Sequence, residues 1–197
     1  MSKGWIAAIV LIALIVITAL WGTSTYNDLV RTDEQVNQTW AQVENVYQRR
    51  MDLIPNLVET VKGYAKHESQ TLIEVTEARN QATKVTLSKE MLGSGADFAK
   101  FQAAQDGLSQ ALGRLLVVVE KYPDLKANEN FLNLQAQLEG TENRISVERG
   151  RFNEASQTYN VRIRQFPARL IAAFAGFAPK AYFKAAEGAA QAPKVQF

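Results

Sequence analysis

The sequence predicts an all-α protein with an N-terminal membrane anchor followed by an elongated antiparallel helical bundle. One observation is the apolar stretch from Trp5 to Trp21, in which Thr18 is the one polar residue. Another is the run from Tyr26 to Val85, where apolar residues recur at alternating spacings of three and four and therefore share one helix face. No stretch alternates at the strand period for long enough to predict a sheet. The expected bundle contains three long helices, the first kinked at Pro55, and a short C-terminal helix.

The composition suits one anchored domain and argues against a nucleic-acid-binding protein. The 197 residues include 22 Lys and Arg against 20 Asp and Glu, with both signs interleaved. Nucleic-acid-binding proteins instead gather basic residues on one face. The absence of cysteine excludes disulfides, thiolate metal sites and a cysteine nucleophile. The predicted segments are residues 1–24 as the transmembrane anchor, 25–184 as the bundle and 185–197 as a flexible tail.

The apolar stretch is nearly long enough to cross the hydrocarbon core of a lipid bilayer. Its seventeen residues extend about 25 Å as a helix, against a core of about 30 Å, and neighbouring uncharged residues add length. A Trp at each end suits the interfacial layer. A cleaved signal peptide is the alternative, but no small-residue cleavage motif follows the stretch. The predicted anchor residues are Trp5, Ile6, Val10, Leu14, Ile17 and Trp21.

The charges beside the anchor predict its orientation. Lys3 and the terminal amine precede the span, whereas Arg31 is the nearest basic residue after it. Basic residues favour the cytoplasmic side of a membrane. The N-terminus is therefore expected to stay in the cytoplasm, while the bundle is moved across the membrane. In a bacterium this gives a single-pass protein of the inner membrane with a periplasmic bundle.

The first long helix raises a question of helix lengths. If Tyr26 to Val85 is helical throughout, it extends about 90 Å. The two following helices, expected from about Asp97 and from about Asn128, are shorter. The inner half of the long helix would then lack a partner within the chain. The helix has a soft point at Gly63 in addition to the kink expected at Pro55.

Two arrangements resolve this mismatch. Either the helix breaks near Gly63 and the chain forms four shorter helices, or neighbouring chains cover a stripe that is not stable in water. The second arrangement predicts a coiled-coil-like homo-oligomer, in which Trp40→Ala or Tyr47→Ala dissociates the assembly before the protomer unfolds. The candidate inter-subunit contacts are Val36, Trp40, Val43, Tyr47, Arg49 and Arg50.

The segment between Pro167 and Pro179 is apolar on one helical face but too short to span a bilayer. It predicts either a short helix that caps the bundle core or an interfacial membrane helix flanked by basic residues. The candidate interfacial residues are Leu170, Ile171, Phe174 and Phe177.

No set of residues predicts catalysis, a metal site or a cofactor site. His67 is the only histidine, and the sequence HESQT lacks the second His of the H-E-x-x-H zinc motif. One His also cannot supply the two Glu-x-x-His pairs of a di-metal carboxylate bundle. Arg49 and Arg50 suit binding of a lipid phosphate or an acidic partner, although solvated or salt-bridged positions are the more common role. The protein is therefore not expected to be an enzyme.

Several blocks of the sequence form a family signature. They are WAQVENVYQRR from Trp40, DLIPNLV from Asp52, the continuation to Arg79, the region from Asn153 to Tyr159, and FPARLIAAFAGFAPKAYF from Phe166. In these blocks the sequence resembles the LemA family of bacterial membrane proteins. The resemblance implies one N-terminal span, an antiparallel helical bundle and no known catalytic activity. It also implies a short N-terminus outside and a cytoplasmic body, which is opposite to the prediction from the flanking charges.

The resemblance suggests two functions when it is combined with the apolar face of the first long helix, which we call the seam and which includes Val36, Trp40, Val43 and Tyr47. Some LemA-family members are associated with membrane invagination around magnetosomes, and members often neighbour membrane metalloproteases and other envelope proteins. The first hypothesis is a membrane-anchored structural scaffold that self-assembles through its long helix and organises or remodels the bacterial envelope membrane. The alternative is an adaptor or sensor module that binds a membrane protease or another envelope protein.

Overall fold

The computed structural model describes residues 3–85 and 89–184, and the regular secondary structure within these ranges is entirely helical. The prediction of an all-α protein is confirmed for these residues. The tail predicted for residues 185–197 lies outside the described residues. The elements are α1 (Lys3–Tyr64), α2 (Ser69–Lys84), a 3-10 helix (Lys89–Gly93), α3 (Gly95–Val119), α4 (Pro123–Lys126), α5 (Glu129–Arg162) and α6 (Ala168–Ala175).

Helix α1 is a single element of 62 residues that includes both the apolar stretch and the first helix of the packed body. It continues through Pro55, which has no N–H to donate to the carbonyl of Met51 one turn earlier. The Nε of Arg79 in α2 donates to that carbonyl at 3.1 Å. A side chain from the next helix thus replaces the hydrogen bond that proline removes. The kink at Pro55 stays a prediction.

The prediction of one continuous helix from Tyr26 to Val85 is wrong, and the alternative break near Gly63 is confirmed. Helix α1 ends at Tyr64, and α2 begins at Ser69 and folds back. The break allows α2 to bury apolar residues against α1 and α3, whereas a straight continuation would leave them in water. The α2 residues buried in this way are Leu72, Val75 and Ala82.

Helix α5 packs antiparallel against α1 over most of the packed length of α1. At one end Arg162 Nε donates to Asp28 Oδ2 at 2.6 Å, and at the other Asn128 Nδ2 donates to Tyr64 Oη at 2.9 Å. The expectation that the inner half of α1 lacks a partner within the chain is therefore wrong. Helix α2 runs back toward the apolar stretch, α3 runs away from it again, and α5 therefore returns toward it.

The buried side chains form two clusters, one in each half of the body. The half nearer the apolar stretch contains the aromatic cluster, in which Trp40 contacts four phenylalanine rings at centroid distances of 5.3–6.3 Å. The far half is mainly aliphatic and centres on Ile54 and Leu57 of α1 with Leu108 and Leu115 of α3. The members of the aromatic cluster are Trp40, Tyr47, Phe98, Phe101, Phe152 and Phe183.

Local sequence signals define the helix ends. The hydroxyl of Ser94 accepts from the backbone N–H of Asp97 at the start of α3, and the side chain of Asn128 accepts from Phe131 at the start of α5. Helix α6 ends at Ala175 and is capped by Gly176, whose φ of 78° lies in the left-handed region that favours glycine. These caps set where the chain turns at both ends of the body.

Candidate membrane-proximal site

The first part of α1 is exposed along its apolar length and precedes the packed body. It is the one described helix that is long and apolar enough to cross a membrane, and its apolar window has no residue buried within the protein. Packing begins at Thr25 and Leu29, which are 4% and 0% exposed. Thr25 lies about 6 Å along the helix from Trp21. The predicted anchor residues Trp5, Ile6, Val10, Leu14, Ile17 and Trp21 are all exposed.

Helix α6 lies beside α1 at this point, where the exposed stretch meets the packed body. The rings of Tyr26 and Phe177 are 5.8 Å apart between centroids. The inner face of α6 buries Ala168 and Ala172, which are 1% and 3% exposed. These small side chains allow α6 to approach the bundle closely, so one face of α6 closes the end of the core.

The opposite side of this region is an apolar surface, which we call the outer α6 stripe and define as Phe166, Leu170 and Phe174. These side chains are 82%, 63% and 97% exposed. Leu170 and Phe174 lie one turn apart on α6, and Phe166 lies in the turn that precedes the helix. Of the predicted interfacial residues, Leu170 and Phe174 thus lie on the surface. Ile171 and Phe177 are partly buried against the aromatic cluster and its neighbours. The segment therefore caps the core and exposes an apolar stripe at the same time.

The basic residues around α6 fall into two groups. Arg162 pairs with Asp28, and Lys180 Nζ pairs with Asp33 at 2.7 Å. Arg164 and Arg169 are exposed, and among the described residues no carboxylate lies within 4.0 Å of either guanidinium. The outer α6 stripe is therefore flanked by two cations that are not neutralised within this part of the chain. Apolar side chains flanked by cations are the pattern of a membrane-interface helix.

After α6 the chain continues as the C-terminal strap, residues 180–184, which has no regular secondary structure and runs from α5 to α3. Three carboxamide side chains hold it, and each both donates to the carbonyl and accepts from the N–H of one strap residue at 2.8–3.2 Å. These hydrogen bonds place Phe183 inside the aromatic cluster. The pairs are Asn160 with Lys180, Asn153 with Phe183, and Gln102 with Lys184.

Tyr159 connects α5 to the segment that leads into the strap. Its side chain is buried, and its hydroxyl donates to the carbonyl of Ala178 at 3.1 Å. Burial, together with the negative charge of Asp33, raises the pKa of Tyr159 to about 12. The Lys180 ammonium lies 5.3 Å from the centre of the Tyr159 ring. The region is therefore built around a phenol that keeps its proton at physiological pH.

The seam residues predicted to contact neighbouring subunits lie inside the protomer. Helix α5 and the aromatic cluster cover them, so a second chain could reach them only if the bundle opened. The prediction of inter-subunit contacts at these positions is therefore wrong for the folded protomer. The residues concerned are Val36, Trp40, Val43 and Tyr47, each at most 1% exposed.

The neighbouring arginines have different environments. Arg49 is exposed and donates to Gln137 Oε1 at 2.7 Å. Arg50 is only 2% exposed, and its guanidinium binds the carboxylate of Glu142 at 2.8 Å as well as Gln105 and Ser109. Arg50 therefore links α1 to α3 and α5. It is not available as a surface contact, because its guanidinium is buried and paired with Glu142 inside the bundle.

The remaining titratable residues do not form a metal centre in the part of the chain that the structure describes. No group of three His, Cys, Asp or Glu side chains there is arranged to hold an ion. His67 is exposed in the turn between α1 and α2. The absence of catalysis stays a prediction.

Comparison with known proteins places this arrangement in a family. Residues 39–197, which include the aromatic cluster, α6 and the strap, match the LemA family model. The chain belongs to the LemA family. The resemblance noted in the sequence is thereby confirmed.

Relatives of this LemA-family protein include proteins named for the magnetosome. Magnetosome protein MamQ of Magnetospirillum gryphiswaldense is 27% identical over 201 residues, which cover 93% of this chain and 74% of the relative. Magnetosome protein MamQ 2 of Paramagnetospirillum magneticum is 26% identical over 202 residues with the same coverage. Protein LemA of Metamycoplasma hominis is 22% identical over 161 residues, or 82% of this chain and 69% of the relative.

Sequence reasoning about this LemA-family protein missed the side chains that hold the strap. Asn153, Asn160 and Gln102 bind backbone that is remote in sequence, and no helical periodicity marks such a partner. The only signal was that the region from Asn153 to Tyr159 belongs to the family resemblance. Arg79 also lies in a family block, but its role at Pro55 follows only from the fold.

Proposed function

We propose that this protein is a membrane-anchored structural scaffold that organises or remodels the bacterial envelope membrane. The observation that carries the proposal is the continuity of α1, which enters the packed body with no linker after the apolar stretch. From Thr25 to Tyr64 the helix extends about 60 Å. A rod of this length, packed along α5, transmits the orientation of its anchor to its far end.

Self-association remains part of the proposal, but not through the seam of α1, which the protomer itself buries. Contacts between protomers would instead use the exposed apolar span or surface residues outside the seam. The flanking charges favour an inner-membrane protein with its bundle in the periplasm. Labelling of single cysteines with a membrane-impermeant reagent in whole cells measures this orientation, and labelling only after cell lysis would contradict it.

The scaffold proposal is tested with full-length protein in liposomes imaged by electron cryomicroscopy. We expect altered vesicle shape and protein density that reaches a constant height of about 60 Å above the bilayer. A matched variant carries a flexible Gly-Ser insertion after Gly22, which keeps both the span and the bundle but removes their rigid connection. The insertion should abolish the constant height and the shape change.

Two outcomes would contradict the scaffold. One is dispersed monomers on vesicles of unchanged shape. The other is a shape change that persists with the flexible insertion, because the rigid connection would then be unnecessary.

A second candidate function is an adaptor, and a groove between α3 and α5 favours it. The groove encloses about 240 Å³ and is largely apolar, with Leu112 and Leu138 on opposite walls. Glu139 and Glu142 line its α5 side, and because Glu142 is already paired with Arg50, Glu139 supplies the carboxylate for a partner. This combination suits an apolar segment of an envelope protein that carries a basic residue.

Purification of the full-length protein from detergent-solubilised membranes tests the adaptor function. We expect a stoichiometric envelope partner to be retained by the native protein and lost with Leu138→Glu. The control is Leu132→Glu on the same helix, because Leu132 is 48% exposed and lies outside the groove. Equal retention by both variants would exclude the groove as the binding site.

A further inference from the structure

The outer α6 stripe adjoins the apolar surface of the span. Phe177, just after α6, contacts Tyr26 of α1, which is only five residues, or about 7.5 Å along the helix, beyond Trp21. The headgroup layer on each side of a bilayer is about 5–8 Å thick. If Trp21 lies at the edge of the hydrocarbon core, α6 lies at the depth of the headgroups. The stripe therefore lies next in depth after the apolar span.

The charges beside the stripe complement an anionic membrane surface. Arg164 and Arg169 are exposed without a carboxylate partner among the described residues, whereas the nearby Asp28 and Asp33 already pair with Arg162 and Lys180. A second copy of the chain would need an apolar patch flanked by acids to match this surface. A bilayer that contains anionic lipids supplies apolar chains and phosphates at adjacent depths.

We propose that α6 is a second membrane contact, in which the outer α6 stripe inserts into the bilayer interface while Arg164 and Arg169 bind the phosphates of anionic lipids. The inference rests on the anchoring proposed above and adds a lipid-binding site to it. Two contacts on one rigid body fix the tilt of the bundle relative to the membrane, which a single helix cannot do. Phe166 and Phe174, which face water in the isolated protein, gain an apolar environment.

The experiment uses a dye placed at one position of the full-length protein. The chain contains no cysteine, so Phe174→Cys provides a single attachment point for an environment-sensitive fluorophore. The protein is reconstituted at one copy per nanodisc, in phosphatidylcholine alone or with phosphatidylglycerol, with or without bromine on the lipid chains near the headgroups. Val117→Cys is the matched control, because Val117 is 69% exposed in the far part of α3.

We expect blue-shifted emission and quenching by brominated lipid at position 174, and water-like emission without quenching at position 117. Replacing Arg164 and Arg169 with Gln should lower the ratio of inserted to exposed label in anionic nanodiscs by roughly fivefold for each cation removed. In phosphatidylcholine alone these substitutions should have little effect.

Three results would overturn the inference. They are water-like emission at position 174 in both lipids, quenching that is equal at positions 174 and 117, and a blue shift that occurs only when several copies share a bilayer. The last result would assign the stripe to a contact between copies.

Resistance of the full-length protein to alkaline extraction from membranes reports on the span alone, so failure of the α6 contact and failure of the anchor are distinguishable.

Discussion

Trp40→Ala is the substitution for which sequence and structure predict opposite outcomes. The seam pattern alone places Trp40 between subunits, so its loss would dissociate an assembly of folded protomers. In the structure Trp40 is 1% exposed and contacts Phe98, Phe101, Phe152 and Phe183. The fold therefore predicts that the protomer itself loses stability.

The size of the loss follows from burial. Truncating a buried Trp to Ala costs about 3–5 kcal/mol through lost transfer free energy and the cavity left behind. Domains are typically stable by only about 5–15 kcal/mol. For a protein of this size each kcal/mol lowers Tm by roughly 2–4 °C, so we expect a decrease of roughly 6–20 °C. Trp40→Phe should cost less, because the Trp40 Nε1 has no hydrogen-bond partner among the described residues to lose.

The assay is thermal unfolding of the full-length protein in detergent, followed by far-ultraviolet circular dichroism, with the mass of the native particle measured in parallel. Val117→Ala is the control, since it truncates an apolar side chain that is 69% exposed in the far part of α3 and should leave the free energy of unfolding within about 0.5 kcal/mol of the native value. An unchanged Tm for Trp40→Ala together with a smaller particle would refute the packing argument and restore the inter-subunit assignment.

Three further predictions concern side chains whose roles only the fold reveals. Arg79→Ala should lower the free energy of unfolding by about 1–3 kcal/mol, because the Met51 carbonyl loses its donor. The loss should be smaller in a Pro55→Ala background, where the restored N–H of residue 55 binds that carbonyl. Equal losses in urea unfolding of both backgrounds would exclude this coupling. Asn153→Ala should release the strap, so that trypsin cleavage after Lys184 and amide hydrogen exchange at Phe183 both become faster. Unchanged rates would mean that the other contacts are sufficient to hold the strap. The pKa of Tyr159 is about 12 in the folded protein against an ordinary 10, so the folded state keeps the proton over a range in which the unfolded state loses it. Stability should therefore be complete below pH 10 and fall as the pH rises toward 12, with a shallower fall for Tyr159→Phe; parallel curves from chemical unfolding at each pH would contradict this.

The helix content and the apolar stretch could be read from the sequence because both depend on local patterns. Spacings of three and four identify a buried helix face, and Val36, Trp40 and Val43 are indeed buried. The same spacing cannot tell whether the partner helix belongs to the same chain. This is why the sequence wrongly predicted that the inner half of α1 lacks a partner within the chain. A break of a few residues after Tyr64 changes the direction of every later helix, and periodicity does not reveal the break.

The strap and the two faces of α6 show the same limit for the candidate site. Nothing local marks Asn153 as the partner of Phe183, 30 residues away, because a carboxamide on a helix usually faces water. The sequence of α6 allowed a core cap and a membrane-interface helix as alternatives. The fold shows that Ala172 faces the core while Phe174 faces outward, which requires the position of α6 relative to α1.

Local physics of the chain determined that this protein is helical, that its N-terminal stretch is long and apolar enough to cross a membrane, and which face of α1 is buried. Hydrophobic periodicity and helix length are properties of neighbouring residues, so they need no fold. Tertiary structure decided that the seam is covered within the protomer, that Arg79 binds the carbonyl left without a donor by Pro55, and that α6 packs on α1 near the end of the apolar stretch. Each of these depends on which distant segments meet, and that is set by the turn at residues 65–68 and by the burial that it permits.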